Sequence, residues 1–217
     1  MSPEIQQFLN SNASAVFGLI GALGGGVLSF VASLLLKRRE FSLQLRSKII
    51  DRQIAAHERI LKLAQDMRVM GSTGALGLDG EVSRGPCILL SKDEFENWFA
   101  RFTEQQLAGS AWLTTATKRE VAFVQDYLIT LHMHLVDVPS EKYFDLARLI
   151  RQDFIDLSGS LEMAAFSFFE SGIHRAKLDR LSAWHKYKRP VTERRLTSTA
   201  LIQNIAEFRS ALQELPK

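Results

Sequence analysis

From Ala13 to Leu36 the chain runs 24 residues without a charged side chain. As a helix rising about 1.5 Å per residue, that stretch would be roughly 36 Å long, against about 30 Å of bilayer hydrocarbon. Few buried core helices run so far without a charge, so the length predicts one tilted transmembrane helix. A core helix of a soluble protein is the alternative. Lys37, Arg38, Arg39, Arg46, Lys48 and Arg52 follow the run closely, while the residues before it carry only Glu4. The excess of positive charge on the C-terminal side predicts that this side is cytoplasmic. A cleaved signal peptide is not expected, because no Lys or Arg precedes the run and a basic stop follows it.

The predicted span has two unlike faces. At about 100° per residue, Ser14, Gly18, Gly21, Gly25, Ser29 and Ala32 fall in one narrow stripe, and Val16, Ile20, Leu23, Val27, Phe30 and Leu34 lie opposite. Gly21-x-x-x-Gly25 lies inside the small stripe, and Gly18-x-x-x-Ala22-x-x-x-Gly26 runs beside it. In lipid, helices associate through close backbone approach, which small residues permit. The bulky face is therefore expected to meet lipid and the small face another helix. The chain holds no second apolar run of this length, so the expected partner is another copy or a different membrane protein. A monomeric, glycine-rich anchor is the bland alternative.

The remaining residues are enough for one domain with a sizeable core. They hold all 27 Lys and Arg and every acid except Glu4. A single cysteine, Cys87, excludes an intramolecular disulfide and suits a reducing compartment. Abundant Leu, Ala, Glu, Arg and Gln with only five prolines predict an all-α fold. Residues 1–12 form a short extracytoplasmic tail, 13–36 the span, and 37–70 a juxtamembrane helix continuous with it. That helix carries an apolar face of Ile49, Ala56, Ile60, Leu63, Met67 and Met70, wide enough for a bundle core. Residues 71–90 read as a Gly-rich loop. They lack the Lys-Ser or Lys-Thr of a phosphate-binding loop, and no apolar strand precedes them.

Residues 91–217 then read as a cytoplasmic bundle, giving four to six helices in all. Ser91-x-x-Glu94 and Thr117-x-x-Glu120 look like capping boxes. The helices after them are expected to run to about Leu107 and Val136. From Glu141 to about Tyr187 the periodicity predicts one long helix, or two with a bend near Gly159 or Gly172, ended by Pro190. A last helix is expected from about Thr199 to Leu215.

Catalytic signatures are absent: there is no HExxH, GxSxG, Walker A or kinase pattern. His132 and His134 are two apart, so on a helix they diverge, whereas a helical metal pair needs a spacing of three or four. Neither an enzyme nor a resident cofactor or metal is expected. Asp153, Asp156 and Glu162 read as an acidic helix flank.

The segment Arg175–Arg195 is the one chemically suggestive stretch. Arg175, Lys177, Arg180, Lys186, Lys188, Arg189, Arg194 and Arg195 surround Trp184 and Tyr187. Basic side chains neutralise phosphates and aromatic faces stack on bases. This makes a candidate site for a nucleotide or a single-stranded oligonucleotide. An anionic lipid surface and a plain solvated helix face remain open as alternatives.

The glycine-rich span Val16–Arg39, its Lys37-Arg38-Arg39 stop and the helical domain behind it resemble small single-span membrane effectors of bacterial anti-phage, or abortive-infection, systems. The resemblance implies a homo-oligomeric effector in the bacterial inner membrane, pore-forming or depolarising, gated by a cytoplasmic helical sensor. It transfers no binding residue. Only Ser14, Ser29, Ser33 and glycine backbone are available to line a pore, so any pore would be narrow. The second expectation is of another class: a passive membrane-tethered scaffold or adaptor whose bundle binds a partner protein.

Overall fold

The computed structural model describes Pro3, Gln7, and residues 11–72, 84–172, 186–207 and 210. About 87% of them are helical, so the fold is all-α. By contacts the chain divides into two units, Met1–Lys48 and Ile49–Lys217.

Helix α1 runs without interruption from Ala13 to Arg68, as the lack of Gly and Pro after Leu34 predicts. Its first part is the one helix among the described residues long and apolar enough to cross a membrane, and none of that apolar window is buried. Its last part is amphipathic. Ala56, Ile60, Leu63, Ala64 and Met67 are buried in the core of the second unit.

Beyond α1, β1 (Met70–Gly71) pairs antiparallel with β2 (Gly85–Pro86). The Cys87 amide extends the ladder by donating to the Val69 carbonyl at 2.8 Å. Gly71 is required here, since a Cβ would come within 2.9 Å of Cys87 Sγ. A short 3₁₀ turn, Cys87–Leu89, leads into α2 (Lys92–Gly109). Ser91 caps α2 by accepting from the Glu94 amide, in line with its sequence signature.

A second 3₁₀ turn, Ser110–Trp112, precedes α3 (Thr115–Leu135). The cap of α3 corrects the sequence expectation. Thr114, not Thr117, caps it, accepting from the Thr117 amide. Thr117 is buried and donates its hydroxyl to the Ala164 carbonyl at 3.0 Å.

After Pro139 a 3₁₀ turn, Ser140–Lys142, opens α4 (Tyr143–Leu149), and α5 follows from Arg151 to Ser167. The break between them falls at Ile150, whose φ of −108° and ψ of 12° leave the helical region, and not at either glycine. The break turns two apolar faces inward together: Tyr143, Leu146 and Ala147 from α4, and Phe154, Leu157 and Leu161 from α5. Gly159 lies inside α5. A π-helical turn, Phe168–Gly172, ends this run.

Pro190 also acts differently from expectation. It starts a helix, sitting in the first turn of α6 (Arg189–Thr197), where its missing amide has no intrahelical partner to lose. Helix α7 follows at Ala200–Gln203 and buries Leu201. The expected continuation to Leu215 lies largely outside the described residues.

The core is one cluster drawn from α1 to α5 and α7. Its largest fully buried side chains include Trp98, Tyr127, Tyr143, Phe95, Phe102, Phe154 and Phe168. At about 25 cal/mol per Å² of apolar area removed from water, such rings dominate the stabilisation of a small helical body.

Candidate functional site

The small-faced stripe of the span is open. Ser14, Gly18, Gly21, Gly25, Ser29 and Ala32 are all exposed, and an added Cβ at Gly18, Gly21 or Gly25 would meet nothing within 4 Å. Among the described residues, no side chain fills the groove these glycines leave.

Of the basic stretch, Arg175, Lys177, Arg180 and Trp184 lie outside the described residues. Lys186 to Arg195 are described, and the structure sorts them into two sets. The first set is tied down. Arg195 forms a bidentate ion pair with Glu120, its two terminal nitrogens 3.0 and 2.9 Å from the carboxylate oxygens. Its guanidinium lies over the Phe123 ring, 3.8 Å from the centroid, and 5.0 Å from the Tyr187 centroid. The Tyr187 hydroxyl donates to the same Glu120 carboxylate. Burial, and then the Glu120 hydrogen bond, push the Tyr187 phenol above its ordinary pKa. Lys186 reaches Asp126 at 3.4 Å, and Arg189 reaches Glu193 at 2.7 Å. In the second set, Lys188 and Arg194 are exposed and form no ion pair among the described residues.

Clamped in this way, Tyr187 forms one wall of a cavity of about 460 Å³, together with Arg119, Lys186, Lys188 and Val191. Three cations and a half-buried phenol ring surround a space large enough for a phosphate with a flat group attached. The sequence places the basic residues there. It gives no sign that Glu120 and Asp126, on α3, hold the wall in position.

Two buried polar centres have no signature in the sequence. Asp153, which reads as part of an acidic flank, is buried. It accepts from the Ala200 and Leu201 amides at 2.6 and 2.9 Å and from the Tyr127 hydroxyl at 2.9 Å, and so caps α7 from α5. Burial raises the pKa of Asp153, and the three hydrogen bonds only partly offset that rise. Beside it, Asp156, Ser160, Arg195, Ser198 and Thr199 border a smaller polar cavity of about 130 Å³.

His57 is fully buried on α1. Its Nδ1–H donates to the Gln53 carbonyl at 2.7 Å, and its Nε2 accepts from the Thr114 amide at 3.4 Å. Its ring stacks on Phe168 with centroids 4.1 Å apart. Burial lowers its pKa, so it is held neutral. These contacts join α1, the cap of α3 and the π-turn, but no cavity opens onto the ring.

No protein-family model, curated protein or solved structure matches the chain.

Proposed function

We propose that the chain is a membrane-anchored, self-associating effector of the anti-phage kind. Its span permeabilises the bacterial inner membrane, and its cytoplasmic helical body gates that activity by binding a phosphate-bearing ligand such as a nucleotide or short oligonucleotide. The observation that carries this reading is the uncovered apolar span with open glycines. An apolar helix with 0% of its window buried needs lipid or protein around it. A face of Gly18, Gly21 and Gly25 with no neighbour invites another helix at close range. The basic residues that follow the span favour the cytoplasmic placement of the body. The cationic cavity walled by Tyr187 supports the ligand part of the reading.

The uncharged span favours a second reading. A wide aqueous pore needs polar lining, and the span offers only Ser14, Ser29, Ser33 and backbone. A tether that presents the helical body to a partner protein needs none.

Membrane potential in bacteria after controlled induction separates the two. The full chain should depolarise the cell. A chain lacking residues 1–36, and one carrying Gly21→Leu with Gly25→Leu, should not. Full depolarisation by the leucine variant would overturn close packing of the span. No depolarisation by the intact chain, with or without the basic residues neutralised, would leave the tether.

A further inference from the structure

Helices α2 and α3 leave an apolar groove of about 560 Å³, lined by Phe99, Ala100, Thr103, Leu107 and His132 between Glu96 and Glu104. Leu107 is 69% exposed. Ile129, Met133 and Val136, exposed on the side of α3 that carries His132, extend the apolar surface. Nδ1 of His132 is buried with no hydrogen-bond partner among the described residues. The two flanking acids are largely uncommitted. Glu104 forms no ion pair among the described residues, and Glu96 only a loose one with Lys92 at 3.9 Å. The groove is thus an apolar trough with a carboxylate near each end.

The described surface contains the complement. Lys188, Val191 and Arg194 follow one another at three-residue spacing along the start and exposed side of α6, and all three are exposed. This is an apolar knob between two cations. Glu96 and Glu104 are about 12 Å apart along α2, and Lys188 and Arg194 about 9 Å apart along α6, a difference that long side chains span. Helix α6 cannot turn into the groove of its own chain. Arg195 and the adjoining Tyr187 are held on Glu120, and Lys186 on Asp126.

We propose that the α2–α3 groove receives the Lys188–Val191–Arg194 face of α6 from a second copy of the chain. Val191 enters the apolar trough, and Lys188 and Arg194 pair with its acids. The contact joins two different surfaces, so it is head-to-tail and propagates from copy to copy, closing a ring if the rotation permits. Lys188 and Val191 also line the cationic cavity, so a ligand there and a neighbouring copy exclude one another. The contact uses only residues of the helical body and stands apart from the membrane-permeabilising reading.

The test is disulfide trapping between two co-expressed full-length chains of distinguishable size in a Cys87→Ser background, one carrying Glu104→Cys and the other Arg194→Cys. Mild oxidation in the isolated membranes should link unlike chains in preference to like ones. In a second pair of chains, Glu96→Cys with Lys188→Cys should do the same. Adding Glu104→Arg to that second pair should lower the linked fraction about three- to tenfold, and adding Arg194→Glu as well should restore it. Linkage of like chains as readily as unlike ones, or no linkage in either pair, would overturn the contact. So would a charge reversal that Arg194→Glu does not rescue. Depolarisation, read in the same cells, reports on the membrane activity independently of either result.

Discussion

Arg195 grips both carboxylate oxygens of Glu120, at 3.0 and 2.9 Å, across 75 residues of sequence. The pair is partly shielded, with side-chain exposures of 29% and 12%, and it is stacked against Phe123. It fastens α6 to α3. Arg195→Lys keeps the charge but loses the planar fork and the stacking, so it should destabilise the body by about 1–2 kcal/mol. Glu120→Ala should cost more, about 2–3 kcal/mol, because it strands both the guanidinium and the Tyr187 hydroxyl. Thermal melts of the full chain in detergent measure both, and equal effects would show that the fork geometry is unimportant.

The Asp153 carboxylate is the only cap recorded for α7 among the described residues, reached across the core from α5. Asp153→Ala removes the acceptor for two amides and a buried phenol, an expected loss of about 2–4 kcal/mol. Protease sensitivity after Thr199 should rise before global unfolding does. Asp153→Asn retains one carbonyl oxygen and should fall between the two. A variant as stable as the parent would mean that Ala200 and Leu201 find other acceptors.

Acid should weaken the fold through His57. Its pKa in the folded chain is below the ordinary 6.5 because burial disfavours the imidazolium. The unfolded chain therefore binds the proton more readily. The stability that His57 contributes is complete above about pH 6.5 and falls as the pH drops through that value toward the lower folded pKa. Protonation also converts Nε2 from acceptor to donor and opposes the Thr114 amide. Asp153 acts with the opposite sign, since its raised pKa means that the folded chain takes up the proton first. Its effect begins nearer the carboxylate range, so the first decline on acidification belongs to His57. His57→Gln should flatten stability between about pH 7 and 5.5. An unchanged slope there would remove His57 from the account.

Two glycines should respond in opposite directions. At Gly159 an added Cβ lies 3.6 Å from the Arg68 guanidinium, an ordinary contact, and α5 continues on either side. Gly159→Ala should therefore stabilise the body by about 0.5–1 kcal/mol through helix propensity. At Gly85 the Cβ would lie 3.2 Å from the Ala147 Cβ and 3.4 Å from the Phe144 ring, in a buried strand. Gly85→Ala should cost about 1–3 kcal/mol by overpacking. Paired melting curves test the two together.

What the sequence reveals follows the range of each interaction. The apolar run, the uninterrupted α1 and the Ser91 cap depend on neighbours within a few residues, and each is legible in the residue pattern. The break at Ile150 has no local signal, because a β-branched apolar residue leaves the helix only to serve packing on both sides. Thr114 and Thr117 are equally good caps as residue types. The choice between them is made by the Ala164 carbonyl, which claims Thr117 from α5. The basic stretch is visible as charge. Which of its members are spent on Glu120, Asp126 and Glu193 depends largely on where the helices pack.

The short ladder between Met70–Gly71 and Gly85–Pro86 brings the chain back to within one hydrogen bond of where it left. The entropic cost of closing a chain segment grows only slowly with its length. The segment between the two strands is therefore the natural port for an inserted reporter, such as a fluorescent protein or an epitope. The helices of the body would feel its ends and not its size.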